Sequence, residues 1–294
     1  MTVCSALDSG SVEAWCYFCG RWALKSSSSA RCGACMDDWN TSHRAPAPRA
    51  LAILDVYCGI GGITLGLIQA GNDVWGVDSN PDLEEDYMKT GAQGFICADA
   101  LEVLEDKNFM SRFDGTTLSP PCQNRSFMSN CRPGLADTYP QLIPPSRERV
   151  LKLGIPATIE NVSGSRDIMR NPMTLCMWKD FGRETYRHRL VEAVNGVVLQ
   201  SPLIPSGGRP VPPGSILNRK QTPNWECGSV HQVAAARAGH WTPGKFVSVS
   251  GHERREPVRK VMEIPWARER EDVVEAVPPY VGYWLGEQLA RAAA

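Results

Sequence analysis

The chain has 294 residues, which is enough for one large α/β domain with small additions. Hydrophobic residues make up 43% of it, so a sizeable core can form and wholesale disorder is excluded. The formal net charge of −1 at pH 7 excludes a chain-wide basic surface for binding nucleic acid, so any attraction for phosphate must be local.

The first 45 residues contain two pairs of cysteines, each with the spacing C-x-x-C, and twelve residues lie between the pairs. Four thiolates at such a spacing can bind zinc tetrahedrally, whereas the alternative reading is chance or redox cysteines. An A-P-A-P run at 45–48 is typical of a stiff linker after this unit. We therefore predict a zinc-ribbon-like module over 1–45 with one structural zinc ion. Its expected ligands are Cys16, Cys19, Cys32 and Cys35.

Residues 46–199 repeat a pattern of strand followed by helix. Apolar runs predict strands at 51–56, 73–77, 95–98, 115–119 and 157–160. A helix is predicted at 63–70, where Gly71 stops it, and an Asn-Pro pair at 80–81 begins another. Strands that alternate with helices predict an α/β fold whose mostly parallel sheet is covered on both faces. Ligands of such a sheet bind at the carboxyl ends of its strands.

The character of the chain changes after residue 199. Prolines recur over 200–260, and the stretch from 205 to 260 holds nine Lys or Arg against three Glu, in a chain that is otherwise acidic. An irregular segment with local positive charge predicts a target-recognition region. Residues 261–294 return to a helical pattern, so we expect this segment to pack back on the 46–199 domain.

Three carboxylates mark successive strand ends. Asp55 opens the glycine-rich turn D-V-Y-C-G-I-G-G, where glycines let a ligand approach the backbone and leave the helix amino end free. Asp78 ends the second strand, where it can accept hydrogen bonds from ribose hydroxyls, and Asp99 is placed to meet an adenine amino group. Each Asp alone could cap a helix or lie in a solvated turn. Three in register indicate a nucleoside-containing cofactor.

The sequence S-P-P-C-Q at 119–123 holds a cysteine in a rigid, proline-rich loop at a strand end. A buried, inert cysteine is the common alternative. Here E-N-V at 160–162 lies at the next strand end and R-H-R follows at 187–189. A thiol, a carboxyl group and cations at one sheet edge favour nucleophilic catalysis.

The order of these motifs resembles the cytosine-5 DNA methyltransferase family, most closely over 55–192 and in a compact form like that of phage and bacterial members. The resemblance implies a Rossmann-like methyltransferase fold that uses S-adenosylmethionine. It assigns Cys122 as the nucleophile and Glu160 as its acidic partner, with Arg187 and Arg189 as the candidate cations. The implied cofactor residues are Asp55, Tyr57, Gly59, Gly61, Gly62, Asp78, Asp99 and Pro121. In place of the family's G-N-A-V-P-P, this chain has V-E-A-V-P-P at 274–279.

The implied reaction begins when the Cys122 thiolate adds to carbon 6 of a flipped cytosine, which makes carbon 5 nucleophilic toward a methyl group. Enzymes that methylate exocyclic amines have a similar Pro-Pro loop followed by an aromatic residue, and Cys122 here favours the carbon-5 reaction. The same residues could act on cytosine in RNA. A third alternative is a zinc-containing DNA-binding adaptor with weakened catalysis.

The expected partner is double-stranded DNA, bound by a monomer. Whether a restriction endonuclease accompanies the protein, or whether the modification protects phage DNA, stays open. The sequence shows no signal peptide and no apolar run of about 18 residues, so we expect no membrane association. Eleven cysteines without a secretory signal indicate a reducing compartment, the cytoplasm of a bacterium or of a phage-infected cell.

Overall fold

A computed structural model describes residues 11–16, 21–26, 49–125, 138–181, 183, 185, 187–202, 249 and 255–294. The first described element is an antiparallel hairpin of β1 (Ser11–Cys16) and β2 (Arg21–Ser26). Cys16 is the last residue of β1 and pairs with Arg21, so the first C-x-x-C pair begins where the hairpin turns.

The remaining strands form one seven-stranded sheet. They are β3 (Ala52–Val56), β4 (Asp73–Asp78), β5 (Gly94–Cys97), β6 (Gly115–Leu118), β7 (Ala157–Asn161), β8 (Met173–Cys176) and β9 (His188–Val194). The helices are α1 (Gly62–Gln69), α2 (Glu84–Met88), α3 (Ala100–Glu105), α4 (Lys107–Met110), α5 (Ile143–Leu153), α6 (Met177–Phe181), α7 (Arg255–Met262), α8 (Arg270–Glu275) and α9 (Pro279–Ala292). Among the described helices, none combines the length and apolar character needed to cross a membrane.

The strand order of the sheet is β5-β4-β3-β6-β7-β9-β8. The strands from β3 to β7 are parallel, whereas β9 runs antiparallel to both β7 and β8. The predicted Rossmann-like, mostly parallel sheet is therefore confirmed, with an antiparallel edge that the strand–helix pattern did not predict. The chain turns to one side of β3 for β4 and β5 and to the other side for β6. Such a switch point leaves a crevice at the carboxyl ends of the strands.

Both faces of the sheet are covered by helices. Neighbouring residues of a strand point to opposite faces, so two consecutive buried residues show that both faces are buried. In β3, Ile53 and Leu54 are both fully buried, in two different core clusters. The Ile53 cluster contains Leu67 of α1 and Leu285 of α9, and the Leu54 cluster contains Val150 of α5. Two covered faces explain why residues 52–54, which begin β3, are consecutively apolar rather than alternating.

The C-terminal helix α9 packs directly on α1, backbone against backbone. A Cβ at Gly66 would lie 1.9 Å from the Pro279 oxygen and 2.4 Å from the Tyr283 nitrogen. On the other helix, a Cβ at Gly282 would lie 2.2 Å from the Ile63 oxygen. The two glycines therefore set how closely the end of the chain approaches the helix that follows the glycine-rich turn.

We predict that Gly66→Ala lowers the free energy of unfolding by about 2 kcal/mol, because overpacking outweighs the better helix propensity of alanine. Urea denaturation followed by circular dichroism measures the change. Gly286→Ala on α9 is the comparison, because a Cβ there would lie 2.8 Å from the Ala70 Cβ and 3.0 Å from the Asn72 Nδ2, a milder contact than that of Gly66 with backbone atoms, so a smaller loss is expected. Equal losses in the two variants would contradict the close backbone contact at Gly66.

Candidate active site

A cavity of about 410 Å³ opens at the carboxyl ends of the central strands. Its volume lies within the range of small-molecule sites. The cavity wall includes three strand-end carboxylates, the proline-rich loop, two residues of β7 and the C-terminal segment. Residues of the wall include Asp55, Tyr57, Gly59, Gly62, Asp78, Asp99, Pro120, Pro121, Cys122, Glu160, Arg189, Asp272 and Glu275. Most of the residues that the sequence predicts for the site therefore meet at one cavity.

The turn after β3 depends on left-handed backbone conformations. Gly59 and Gly61 have φ of 53° and 83°, which glycine adopts without a steric penalty. Tyr57 has φ of 63° although it carries a bulky side chain, a strained conformation that its surroundings must hold. Its hydroxyl lies 2.9 Å from the Ser146 Oγ of α5, which fixes the ring at the cavity wall. A Cβ at Gly59 would meet no atom within 4 Å, so the backbone there is open to a ligand.

Asp78 and Asp99 combine structural bonds with a place on the cavity wall. Asp78 accepts hydrogen bonds from the backbone nitrogens of Gly59 at 3.0 Å and Asn80 at 3.1 Å. Asp99 is the N-cap of α3 and accepts from the nitrogens of Leu101 and Glu102. The helix-cap alternative is thus true of Asp99. A carboxylate has about four acceptor sites, so both groups keep capacity for a ligand.

Asp55 is the most deeply buried carboxyl group of the cavity wall, with 1% of its surface exposed. Its Oδ2 accepts a hydrogen bond of 2.6 Å from the Thr64 hydroxyl. Its Oδ1 is buried and has no hydrogen-bond partner among the described residues. Burial raises the pKa of Asp55 to about 7, and Thr64 opposes the shift.

The loop that carries Cys122 is held from the next strand. Asn161, at the end of β7, donates a 2.8 Å hydrogen bond from Nδ2 to the Pro120 oxygen. Its Oδ1 accepts from the Val162 nitrogen and from the Ser165 hydroxyl, so the amide is fixed in one orientation. Asn161 is therefore a positioning residue for the loop that carries Cys122. The motif E-N-V contains it, but no local signal indicates this role.

Glu160 and Arg189 lie on the neighbouring strands β7 and β9 and form a buried ion pair. Arg189 Nε lies 2.7 Å from Glu160 Oε1. The contact lacks the alignment of a hydrogen bond, and Oε1 accepts none from the described part of the chain. Burial raises the pKa of Glu160, while Arg189 and then Arg187 lower it. A carboxyl group with a raised pKa and an available oxygen can hold a proton at a substrate atom.

The thiol of Cys122 is free and half-buried in this cavity. Burial raises its pKa; Arg189 opposes this shift, and Glu160 adds to it. The candidate cations Arg189 and Arg187 lower the pKa of this thiol, but burial outweighs them. In this cavity, burial therefore favours the thiol of Cys122 over its thiolate.

Arg187 contacts a different part of the molecule from Arg189. Its guanidinium is buried and donates from Nη2 to the oxygens of Val274 at 2.7 Å and Ala276 at 3.0 Å. Burial, followed by the charge of Arg189, lowers its pKa to about 9. These bonds fix the segment that carries Glu275 at the cavity mouth, so the contacts of Arg187 are those of a positioning residue.

The C-terminal segment also closes the cavity over the glycine-rich turn. A Cβ at Gly62 would lie 2.1 Å from the Val277 oxygen, and Trp266 donates a 2.8 Å hydrogen bond from Nε1 to the Ile60 oxygen. Glu275 occupies the position at which the family has Asn, and its side chain is exposed. Its Oε1 lies 3.5 Å from the Nε2 of Gln123. The signal for this wall in the sequence was the V-E-A-V-P-P run.

Two groups of predicted residues are not among the described residues of the cavity wall. Cys19, Cys32 and Cys35 lie outside the described residues, as does nearly all of the predicted recognition region 200–260. Within the described residues, no group of three or more His, Cys, Asp or Glu could hold a metal ion. Gly61 belongs to the turn, but its Cβ position faces Thr90 and Tyr87 rather than the cavity.

Residues 51–193 match the family model of C-5 cytosine-specific DNA methylases. Comparison with curated proteins gives no significant match. The solved structures of the S. pombe Dnmt2 methyltransferase and of the Entamoeba histolytica methyltransferase EhMeth are similar at 16% and 14% identity, each with a TM-score of 0.47. They cover 81% and 82% of this chain, and the matches span 98% of each of those chains. The matched segment 51–193, which holds the cavity-wall residues from Asp55 to Arg189, is therefore similar to the C-5 cytosine-specific DNA methylase family.

Proposed function

We propose that this protein is a DNA cytosine-5 methyltransferase that uses S-adenosylmethionine as its methyl donor. The observation that carries the proposal is the meeting of Cys122, Glu160 and Arg189 at one cavity with the glycine-rich turn and the strand-end carboxylates. A thiol beside a proton-holding carboxyl suits activation of a pyrimidine ring. An amine substrate would need no thiol.

The residues present fit the proposed donor. The unpartnered Oδ1 of Asp55 and the open backbone at Gly59 leave polar groups and space for a nucleoside with a charged side chain. Asp78 and Asp99 would hold its ribose and adenine groups. When bound, S-adenosylmethionine supplies an electrophilic methyl group. Tyr57 and Pro121 would line the same site.

The chain's own residues account for the activation of cytosine. Cys122 loses its proton and its sulfur forms a bond to ring carbon 6, which places negative charge on the ring. Glu160 holds a proton at ring nitrogen 3 and offsets that charge, while Arg189 orients the carboxylate and faces the ring oxygen. After carbon 5 has gained its methyl group, loss of the carbon 5 proton restores the double bond and expels the Cys122 thiolate. The cytosine must leave the duplex to reach the cavity.

The predicted recognition region over 200–260 supplies the DNA contacts in this proposal. Its excess of Lys and Arg offers phosphate contacts that position the protein, and its other side chains would read bases. The described chain enters the region after Pro202 and leaves it at α7. In sequence, the region therefore lies between β9, which ends at Val194, and the C-terminal helices, of which α8 and the residues after it reach the cavity.

We expect purified protein to transfer labelled methyl groups to duplex DNA, and bisulfite sequencing of DNA from expressing cells to give the target site. RNA of matched sequence is the control substrate. Methylation of RNA alone would replace DNA by RNA in the proposal and leave the chemistry intact. Binding of DNA without methylation of either polymer would favour the adaptor alternative.

We also propose that residues 1–45 bind one structural zinc ion through Cys16, Cys19, Cys32 and Cys35. The C-x-x-C spacing and the end of β1 at Cys16 support this assignment. Metal analysis of purified protein is expected to give about one zinc per chain, and Cys32→Ser to lower that content. Protein with reduced, intact thiols but without zinc would rule the module out.

A further inference from the structure

The charge of the cavity wall is strongly unbalanced. Among the described residues that line it, six are acidic and one, Arg189, is basic. An uncompensated buried carboxylate is unfavourable unless a cation or hydrogen-bond donors reach it. The acidic residues are Asp55, Asp78, Asp99, Glu160, Asp272 and Glu275.

These acids differ in what already neutralises them. Asp78 and Asp99 each bind two backbone nitrogens, and Glu160 is paired with Arg189. Glu275 is exposed, so water screens its charge. Asp55 alone among the six is 99% buried with an oxygen that neither bonds nor pairs within the described residues.

The position of Asp55 shows which part of a ligand it would meet. The negative charges of Asp78 and Glu160 both raise the pKa of Asp55, so Asp55 lies within electrostatic range of both. In the proposed reaction, Asp78 would be on the cofactor side of the cavity and Glu160 on the side of the base. The transferable methyl group must lie between these two sides, because it passes from donor sulfur to ring carbon. In the proposed reaction, Asp55 would therefore face the part of the donor that carries the methyl group.

We propose that Asp55 is a charge-selecting residue that favours the positively charged methyl donor over the neutral product in this cavity. This inference rests on the proposed function. S-Adenosylmethionine carries a sulfonium, whereas S-adenosylhomocysteine has a neutral thioether at that atom and is otherwise the same. A carboxylate beside the sulfur stabilises only the first, so the product of each turnover is released more readily.

The same contact links donor binding to a proton. Burial raises the pKa of Asp55, so part of the population is protonated near neutral pH. A cation beside the carboxyl favours its ionised form, and binding of the donor then releases a proton. The groups facing Asp55 are Asp78, Glu160, Cys58 and the hydroxyls of Thr64 and Tyr87, none of them cationic.

The test is calorimetric titration of the full chain with S-adenosylmethionine, S-adenosylhomocysteine and sinefungin, whose amine replaces the sulfonium with another positive charge. We expect Asp55→Asn to weaken binding of both cationic ligands by about tenfold at about pH 8 and to leave the neutral product within about twofold. In buffers of different ionisation enthalpy, wild-type protein should release protons with the cationic ligands near pH 7. The variant should lose most of that release.

Glu271→Gln removes an equal charge from the exposed face of α8, outside the cavity, and should leave the preference unchanged. Retained binding of S-adenosylhomocysteine by Asp55→Asn shows that the variant is folded. Equal weakening of all three ligands would overturn charge selection, as would an unchanged preference. Wild-type protein that binds none of the ligands would instead refute the proposed donor.

Discussion

Cys122→Ser is expected to abolish methyl transfer, with a loss on the order of 10³-fold or more in turnover. A serine hydroxyl is far less ionised than a thiol at neutral pH, and addition to ring carbon 6 requires the anion. Burial already raises the pKa of the Cys122 thiol, so a serine hydroxyl, which is a much weaker acid, would form even less of the anion at this site. Labelled methyl incorporation into the target DNA measures the loss.

Trapping distinguishes covalent catalysis from a merely structural role of the thiol. DNA with 5-fluorocytosine at the target should form a denaturant-stable complex with wild-type protein, only in the presence of S-adenosylmethionine, because fluorine cannot leave as a cation. Cys122→Ser should not form it. Cys97→Ser is the matched control, since Cys97 is a free, exposed thiol at the end of β5. A fully active Cys122→Ser protein would disprove the assignment.

Glu160→Gln is expected to lower the rate of methyl transfer by about 10²- to 10⁴-fold, because an amide cannot hold the proton at ring nitrogen 3. Donor affinity should change little. The raised pKa of Glu160 also predicts how the rate of methyl transfer changes with pH. The wild-type rate should fall as pH rises through that pKa, since the protonated form is lost, and the variant should lack this decline. Single-turnover rates across pH measure both effects.

The control for Glu160 is another buried carboxyl group of the same sheet. Glu192 of β9 accepts a 2.6 Å hydrogen bond from Arg147 Nη2 and does not line the cavity. Glu192→Gln should destabilise the fold, because it leaves the Arg147 charge without its partner, while the folded fraction keeps its rate. If both variants lost the same activity per folded molecule, Glu160 would have only a structural role.

The parallel part of the sheet was predictable because its signals are local. Short runs of four to six residues, each followed by a turn, a proline or a polar strand-end residue, located β3 to β7 to within two residues. The antiparallel edge was not predicted. Strand β8 has only four residues and is followed directly by α6, and β9 pairs with β7, which lies about thirty residues earlier in the chain. No local sequence pattern therefore shows the direction of either strand. The hairpin of β1 and β2 was also missed, although residues 11–14 alternate in polarity.

The site was predictable where family motifs follow strand ends, because parallel strands bring their carboxyl ends together. Cys122, Glu160 and the three aspartates meet at one cavity for this reason. The contacts of Arg187 were not predictable. Its guanidinium bonds to carbonyl groups 87 and 89 residues away, a pairing that only the tertiary fold shows. The two arginines of R-H-R, identical in type, thus differ in what they touch.

The placement of residues 264–292 has a consequence for how the protein folds during synthesis. Gly62 and Gly66 emerge from the ribosome early, yet the groups that pack on them, at Val277, Pro279 and Tyr283, are translated more than two hundred residues later. At about 5–20 residues per second, the partly made chain waits ten seconds or more with that helix face uncovered. Nascent chains must therefore protect an apolar surface for that time, and the part of the cavity wall that Val277 supplies is added only after Val277 has been translated.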